Sequence, residues 1–476
     1  MRVPPCHKII AAGLTFAAFT AASVCGSTAS GQGSTAITFI NSGQQLGLGV
    51  SFSQGLDDID GDNDLDLFLA NFWTACKVWK NNGSGTFTNT GQNFGTTSGH
   101  GIDLGDLDGD GDLDAFLVFL EGSGWVLFND GTGRFTDSGQ RLGSTADHQG
   151  YVTLADLDGD LDLDAAVLGL DVPNLIWLNN GAGVFSAGSS IGDSTSREMA
   201  LGDLDADEDV DIFMRVAGSG CTVWLNNGSG TFTDTGQTLG EVDSGGEIQV
   251  GDLDGDGDLD AFVANDAHGG SVWLNDGAAH FTAGKAYPDA GTERIALGDI
   301  EGDGDLDAFT TNYLATNKVW LNDGAANFTP VDSLFGTGAI SVTPGDLDGD
   351  GDLDVVVGRL DGYGPTSVYF NTTPSAGVRQ GAVKPSEPLI WLSGPNPFTS
   401  IAQIHYRVPA SGPVSLRVVD VLGREVLTLA RGTRPAGEYS VTLDGSALMS
   451  GTYFCRMEVR SGGAVAAATT KVTLVR

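Results

Sequence analysis

Asp252-Leu253-Asp254-Gly255-Asp256-Gly257-Asp258-Leu259-Asp260 is the stretch whose reading decides the fold. Carboxylates at positions one, three, five and nine alternate with small or apolar residues. The glycines allow a tight turn that folds these acids around one point. Hard oxygen ligands in a flexible loop suit Ca²⁺ better than Mg²⁺, which takes fewer carboxylates and keeps more water. Position seven would supply its backbone carbonyl, so the Asp258 side chain is not needed as a ligand. An EF-hand loop would end in a bidentate Glu at position twelve, between helices. Here position twelve is Val263, inside the apolar run Ala261-Phe262-Val263-Ala264, so Asp260 must close the site.

The same string recurs, whole or varied, seven times, starting at Asp58, Asp106, Asp156, Asp203, Asp252, Asp299 and Asp346. The intervals are 48, 50, 47, 49, 47 and 47 residues. The candidate ligand sets are Asp58, Asp60, Asp62, Asp64 and Asp66; Asp106, Asp108, Asp110, Asp112 and Asp114; and Asp156, Asp158, Asp160, Asp162 and Asp164. They continue with Asp203, Asp205, Asp207, Asp209 and Asp211, then Asp252, Asp254, Asp256, Asp258 and Asp260. The last two are Asp299, Glu301, Asp303, Asp305 and Asp307, and Asp346, Asp348, Asp350, Asp352 and Asp354. Leu161 replaces the second glycine of the third loop. In the fourth, Ala206 replaces the first and Glu208 adds a charge. Together the loops hold 36 of the 62 acidic residues. So many carboxylates in tight turns repel one another without a cation, and up to seven structural Ca²⁺ ions are expected.

Working outward, each loop has a strand-like run on either side. A third run such as Ser271-Val272-Trp273-Leu274 leads to Asn275-Asp276-Gly277 and a fourth around Phe281. Asn-Gly and Asp-Gly turns between β-type runs signal hairpins. Four antiparallel strands per 47–50 residues is the arithmetic of a propeller blade. After Asn371 the fourth-strand phenylalanine is missing. It stands instead at the start, in Thr38-Phe39-Ile40-Asn41-Ser42-Gly43-Gln44, matching Thr86-Phe87-Thr88-Asn89-Thr90-Gly91-Gln92. The expected fold is therefore all-β: a seven-bladed propeller over residues 34–373, with strand 35–41 completing blade seven. Trp79, Trp177, Trp224, Trp273 and Trp320 share one repeat position and read as packing between blades. Cys76 and Cys221 share another, on blades too distant for a disulfide, and read as buried thiols.

The ends differ from the repeat. Arg2, His7 and Lys8 precede an apolar stretch from Ile9 to Ala22, with a cleavage site at Ser27-Thr28-Ala29. Residues 1–29 read as a signal peptide. Cleavage before Cys25 ranks second, because Val24 is bulky. Residues 374–388 read as a linker containing Pro374, Pro385 and Pro388. Residues 389–476 carry alternating β-type segments, among them Val414 to Val419 and Tyr453 to Val459, and read as a small Ig-like β-sandwich.

The repeats resemble the FG-GAP (VCBS-type) repeats of integrin α-subunit propellers and of secreted bacterial proteins. The resemblance covers the propeller and matches the acidic loops position by position. It implies calcium in a structural role, and adhesion, glycan binding or protein binding as functions. The C-terminal module resembles the type IX secretion sorting domain. The residues that carry this are Asn396-Pro397-Phe398, Asp420-Val421-Leu422-Gly423-Arg424, Ser450-Gly451-Thr452-Tyr453-Phe454 and Lys471-Val472-Thr473-Leu474-Val475-Arg476. It implies export to the outer surface or the medium. Leu443-Asp444-Gly445 departs from the Trp-Asp-Gly frequent in that family, which leaves an Ig-like appendage as the alternative.

Lys and Arg number 23 against 62 Asp and Glu, a formal charge of −39. Nucleic acid would be repelled, and anionic membrane surfaces with it. No stretch after the leader is apolar enough to insert in a bilayer, and a monomeric propeller is expected. Ligand residues are sought on the face opposite the acidic loops, where loops vary. Trp73 and Tyr313 fall in the loops between second and third strands. His100, His148, Arg197, Glu247 and Arg294 fall near blade junctions, around the channel mouth. The leading function is binding of a glycan or extracellular protein, without enzymatic activity. The alternatives are a polysaccharide-active, lyase-like enzyme with His100 and His148 as candidate bases, and a purely structural surface protein.

Overall fold

The computed structural model describes residues 37–373 and 389–474, apart from short stretches, among them 145–147, 241–245, 313–315 and 332–336. The signal-peptide and linker assignments lie outside the described residues. Every regular element among the described residues is a β-strand, and none forms an α-helix long and apolar enough to cross a membrane.

Residues 37–373 form seven four-stranded antiparallel sheets. Blade one comprises Ser51–Asp57, Asp66–Asn71, Lys77–Lys80 and Thr88–Asn89. Its first two strands pair with Asp57 opposite Asp66, so the acidic loop joins their ends. The same register recurs in blade five, Gly251 opposite Asp260. The first strands pack on one another in sequence, Ser51–Asp57 on Gly99–Gly105 and so on, and Ala339–Gly345 packs back on Ser51–Asp57. Blade seven is split. Its fourth strand is Phe39–Asn41, which pairs with Ser367–Asn371 in the register Phe39↔Asn371, Ile40↔Phe370 and Asn41↔Tyr369.

Two repeated contacts show why particular residue types recur. The second strands are buried throughout apart from Val216 at the end of blade four's, and at one position they carry Phe68, Phe116, Phe213, Phe262 and Phe309. Each meets the fourth-strand phenylalanine of the next blade at 4.9–5.8 Å, edge-on: Phe68 with Phe135, Phe116 with Phe185, Phe213 with Phe281, Phe262 with Phe328, and Phe309 with Phe39. Ring pairs of this geometry add to plain area burial. In four blades a glutamine five residues beyond the fourth-strand phenylalanine works across the same seam. Gln44, Gln92, Gln140 and Gln237 accept the backbone N–H of Phe87, Phe135, Phe185 and Phe281 at 2.8–3.1 Å. Cys76 and Cys221 are free and buried, and burial pushes their thiols up to about 11 and about 12.

The C-terminal part has two sheets of its own. One holds Leu389–Ser393, Ile401–Val408 and Gly437–Asp444. The other holds Glu425–Arg434, Gly412–Asp420, Gly451–Ser461 and Ala464–Leu474. They share one core, in which Tyr406 and Leu443 of the first meet Leu416, Met457 and Val472 of the second. The strand Leu389–Ser393 has no period-2 signal, because Leu-Ile-Trp-Leu is apolar throughout.

Candidate metal loops and channel mouth

The acidic loops are built on their first residue. In the fifth, Asp252 Oδ1 accepts Gly255 N–H at 2.8 Å and Oδ2 accepts Gly257 N–H at 3.2 Å, which winds the turn. Asp260 is anchored from both sides, accepting Leu253 N–H at 3.1 Å and Asn275 N–H at 2.8 Å. Carboxylate oxygens of Asp252, Asp254 and Asp260 lie within 4.8 Å of one another. The trios Asp106, Asp108, Asp114; Asp156, Asp158, Asp164; and Asp203, Asp205, Asp211 repeat this. In the first loop the trio is Asp58, Asp60 and Asp62. In the fifth loop the position-five residue Asp256 accepts Asp258 N–H at 3.0 Å. The position-seven side chain turns away to the hairpin: a Cβ on Gly277, which has φ +73°, would meet Asp258 Oδ2 at 2.7 Å. Glycine is required there by conformation and by space.

Buried oxygens test whether these loops fit a cation. Oδ1 of Asp60, Asp158, Asp205 and Asp348, and Oδ2 of Asp66, are buried without a hydrogen-bond partner. Desolvated carboxylate oxygens among like charges are costly unless a cation neutralises them. Burial, with neighbouring carboxylates adding to it, pushes the position-nine acids up, to about 6 for Asp114, Asp164, Asp211 and Asp260, and to about 7 for Asp66, Asp307 and Asp354. The oxygen-only donor set fits a hard divalent cation.

These loops are wired to the blade seams. The turn asparagine of each blade donates through its side-chain amide to the position-two carbonyl of the preceding loop. The donors are Asn81, Asn129, Asn179, Asn226, Asn275, Asn322 and Asn371, and the acceptors Leu347, Ile59, Leu107, Leu157, Leu204, Leu253 and Ile300, at 2.7–3.3 Å. Asn81 on Leu347 carries the chain of contacts from blade one back to blade seven.

The opposite end of the first strands lines the channel. Five residues before each loop stand Ser53, Gly101, Tyr151, Glu198, Glu247, Arg294 and Ser341. Arg294 Nη1 lies 3.0 Å from Glu198 Oε2, and its guanidinium carbon sits 4.4 Å from the Tyr151 ring centroid. Glu247 accepts Ile295 N–H at 2.9 Å and the Gln249 amide at 3.3 Å. Burial holds Glu198 well above the carboxylate range, raises Glu247 to about 7 and lowers Arg294 to about 10. A cavity of about 280 Å³ opens here, lined by Phe52, Tyr151, Glu247, Gln249, Arg294 and Ser341 among others.

Aromatic rings link this cavity to the surface. Trp73, 57% exposed, contacts Phe72 at 4.4 Å; Phe72 meets Phe52 at 5.5 Å; Phe52 stacks on His100 at 4.7 Å; and His100 meets Tyr151 at 4.9 Å. His100 is buried, with Nδ1 2.8 Å from Gly150 O, and burial lowers it to about 4. Trp73, His100, Glu247 and Arg294 thus belong to one neighbourhood. Arg197 is turned to the blade backbone, donating to Leu170 O at 2.9 Å and Ser196 O at 2.8 Å. His148 is half-buried and gives its carbonyl to Leu170 N–H. Tyr313 lies outside the described residues. Phe52, Tyr151 and Glu198 complete the site and escape a search for variable loops. Counting back from each acidic loop to a fixed strand position finds Tyr151 and Glu198 beside Glu247 and Arg294.

Comparison with known proteins agrees with this fold. The FG-GAP-like repeat matches at residues 58–117, 106–167, 203–263, 252–310 and 299–357. The secretion system C-terminal sorting domain matches at residues 395–468. No curated protein is similar enough in sequence to match. Among solved structures, the BP39L lectin from Burkholderia pseudomallei is similar with a TM-score of 0.54 at 15% identity, over 69% of this chain and 97% of the lectin. BBS1N, crystallised in complex with ARL6DN, is similar with a TM-score of 0.51 at 12% identity, over 71% of this chain and 98% of that one. These likenesses concern the β-propeller fold. The sorting domain directs export by type IX secretion to the cell surface or outside. With more than half of its residues in matched repeats, the chain belongs to the FG-GAP-like repeat family and carries a C-terminal secretion sorting domain.

Proposed function

We propose that the chain is a calcium-stabilised surface propeller that binds a glycan through the channel mouth. The observation that carries this is the cavity beside Tyr151, Glu247 and Arg294, reached along aromatic rings from the exposed Trp73. Aromatic faces suit the apolar side of a sugar ring, and carboxylate, guanidinium and amide groups suit its hydroxyls. The oxygen-only loops support calcium as the stabilising ion. In the second to fifth loops the first, third and ninth acids would hold it, and in the first loop Asp58, Asp60 and Asp62. Its contribution there is charge neutralisation. His100 favours binding over catalysis, because a buried imidazole held neutral against Gly150 O is a poor proton acceptor.

The test is binding of the full chain to a broad glycan array, in calcium and in chelator, with Trp73→Ala and Arg294→Met alongside. Calcium-dependent capture of one sugar class, weakened about tenfold or more by Trp73→Ala, is expected from loss of a stacking face. Folded protein that captures no glycan overturns the glycan reading and moves weight to a protein partner or a structural surface role.

A further inference from the structure

The first loop differs from the other six at a side chain outside it. The residue before each turn asparagine is Phe128, Leu178, Leu225, Leu274, Leu321 or Phe370, but in blade one it is Lys80. The apolar residues lie under the next blade's turn: a Cβ on Gly183 would meet Phe128, and one on Gly85 would meet Phe370. The Lys80 stem occupies the same place under Gly133, and its ammonium continues to Asp60, with Nζ 2.6 Å from Oδ2. Lys80 also donates to Thr132 O, across the seam to blade two.

Asp60 is the third-position acid of the loop, and its other oxygen, Oδ1, is buried and unpartnered. Two further departures coincide. Here the converging trio is Asp58, Asp60 and Asp62, without the ninth acid. Oδ2 of the fully buried Asp66 has no partner, whereas the corresponding oxygens of Asp114, Asp164, Asp211, Asp260, Asp307 and Asp354 accept the position-two N–H at 2.9–3.1 Å.

We infer that Lys80 acts as a tethered cation in the first loop, lowering its affinity for a divalent cation below that of the other loops and setting it apart as the last to fill. The inference rests on the reading that these loops hold calcium. The charge is internal, attached to the neighbouring strand, and half of the Asp60 carboxylate is already engaged. A divalent ion entering the loop meets a positive charge that no other blade supplies at this place. Affinity of oxygen-donor loops follows the net charge of the ligand set, so a reduction of about tenfold or more is expected.

Isothermal titration of the chelated full chain with CaCl₂ tests it, beside Lys80→Leu and Lys80→Arg. The wild type should show one site weaker than the rest by about tenfold or more. Lys80→Leu, which restores the residue of four other blades, should bring that site into the tight class, and Lys80→Arg should leave it weak. Asp60→Asn and Asp108→Asn give a second comparison should Lys80→Leu not fold: Asp108→Asn should remove one tight site and Asp60→Asn none. A wild type whose sites are all alike, a Lys80→Leu curve superimposable on the wild type, or loss of a tight site in Asp60→Asn would overturn the role of Lys80 alone. A wild type that binds no calcium overturns both this inference and the calcium reading beneath it.

Discussion

Asn275 shows how much one side chain carries here. Its amide donates to Leu204 O at 2.8 Å and Leu259 O at 3.2 Å, and its oxygen accepts Asp276 N–H at 2.9 Å, all in a buried seam. Asn275→Ala removes these three bonds, although Leu204 O keeps the Ala279 N–H, and should cost about 1–3 kcal/mol, read as a fall in the urea midpoint. A change under about 0.5 kcal/mol would mean that water or a shifted turn replaces those bonds. His100 gives a pH signature. Its pKa falls from 6.5 to about 4 on folding, chiefly through burial, so the folded state favours the neutral ring. The stability this confers is complete above pH 6.5 and is lost as the pH falls toward 4. The loss should be about 2–3 kcal/mol over that window. His100→Phe keeps a ring beside Phe52 and removes the titration. The difference in unfolding free energy between wild type and variant should therefore change across pH 6.5–4 and stay flat above it. Parallel curves through that window would place His100 in a more solvated setting.

At the scale of the element, the decisive strand is Phe39–Asn41, which covers the edge of Ser367–Asn371. Phe39 packs on Phe309 across the seam, while the neighbouring Ile40 is 53% exposed. Phe39→Ala should destabilise by about 3–5 kcal/mol, the usual cost of emptying a buried phenylalanine site, and Ile40→Ala by less than about 0.5. Equal effects in thermal melts would mean that the strand is not a closing element. This strand could be read in the sequence because Phe39 and Gln44 answer to partners on other blades, Phe309 and Phe87, and so the motif around them is kept. The acidic loops were legible for a related reason: converging oxygens and positive φ leave few residue types for each position. The channel was only partly legible. Side chains five positions before the loops share no residue type, and Glu198 meets Arg294 across 96 residues. Nothing local marks such a pair. The strand Leu389–Ser393 was hidden differently, since a short apolar run without alternation has no period to read.

The whole propeller joins two ends of different chemistry. At one end, carboxylates gather in a chain whose formal charge is −39, and the turn asparagines tie each loop to the next blade. At the other, Arg294, Glu247 and Tyr151 line a cavity in the channel, and Glu198 is paired with Arg294. The seams run between them, so an ion that settles the loops also sets the frame holding the channel residues. Stability and ligand capture should therefore respond to calcium together. The most direct measurement is thermal unfolding of the full chain in chelator and in rising calcium, with bound calcium counted in parallel. Filling several sites well above their dissociation constants stabilises by about 2–3 kcal/mol per site, so the midpoint should climb by more than about 10 °C as ions are taken up. A midpoint identical in chelator and in millimolar calcium, with no ion bound, would contradict the account.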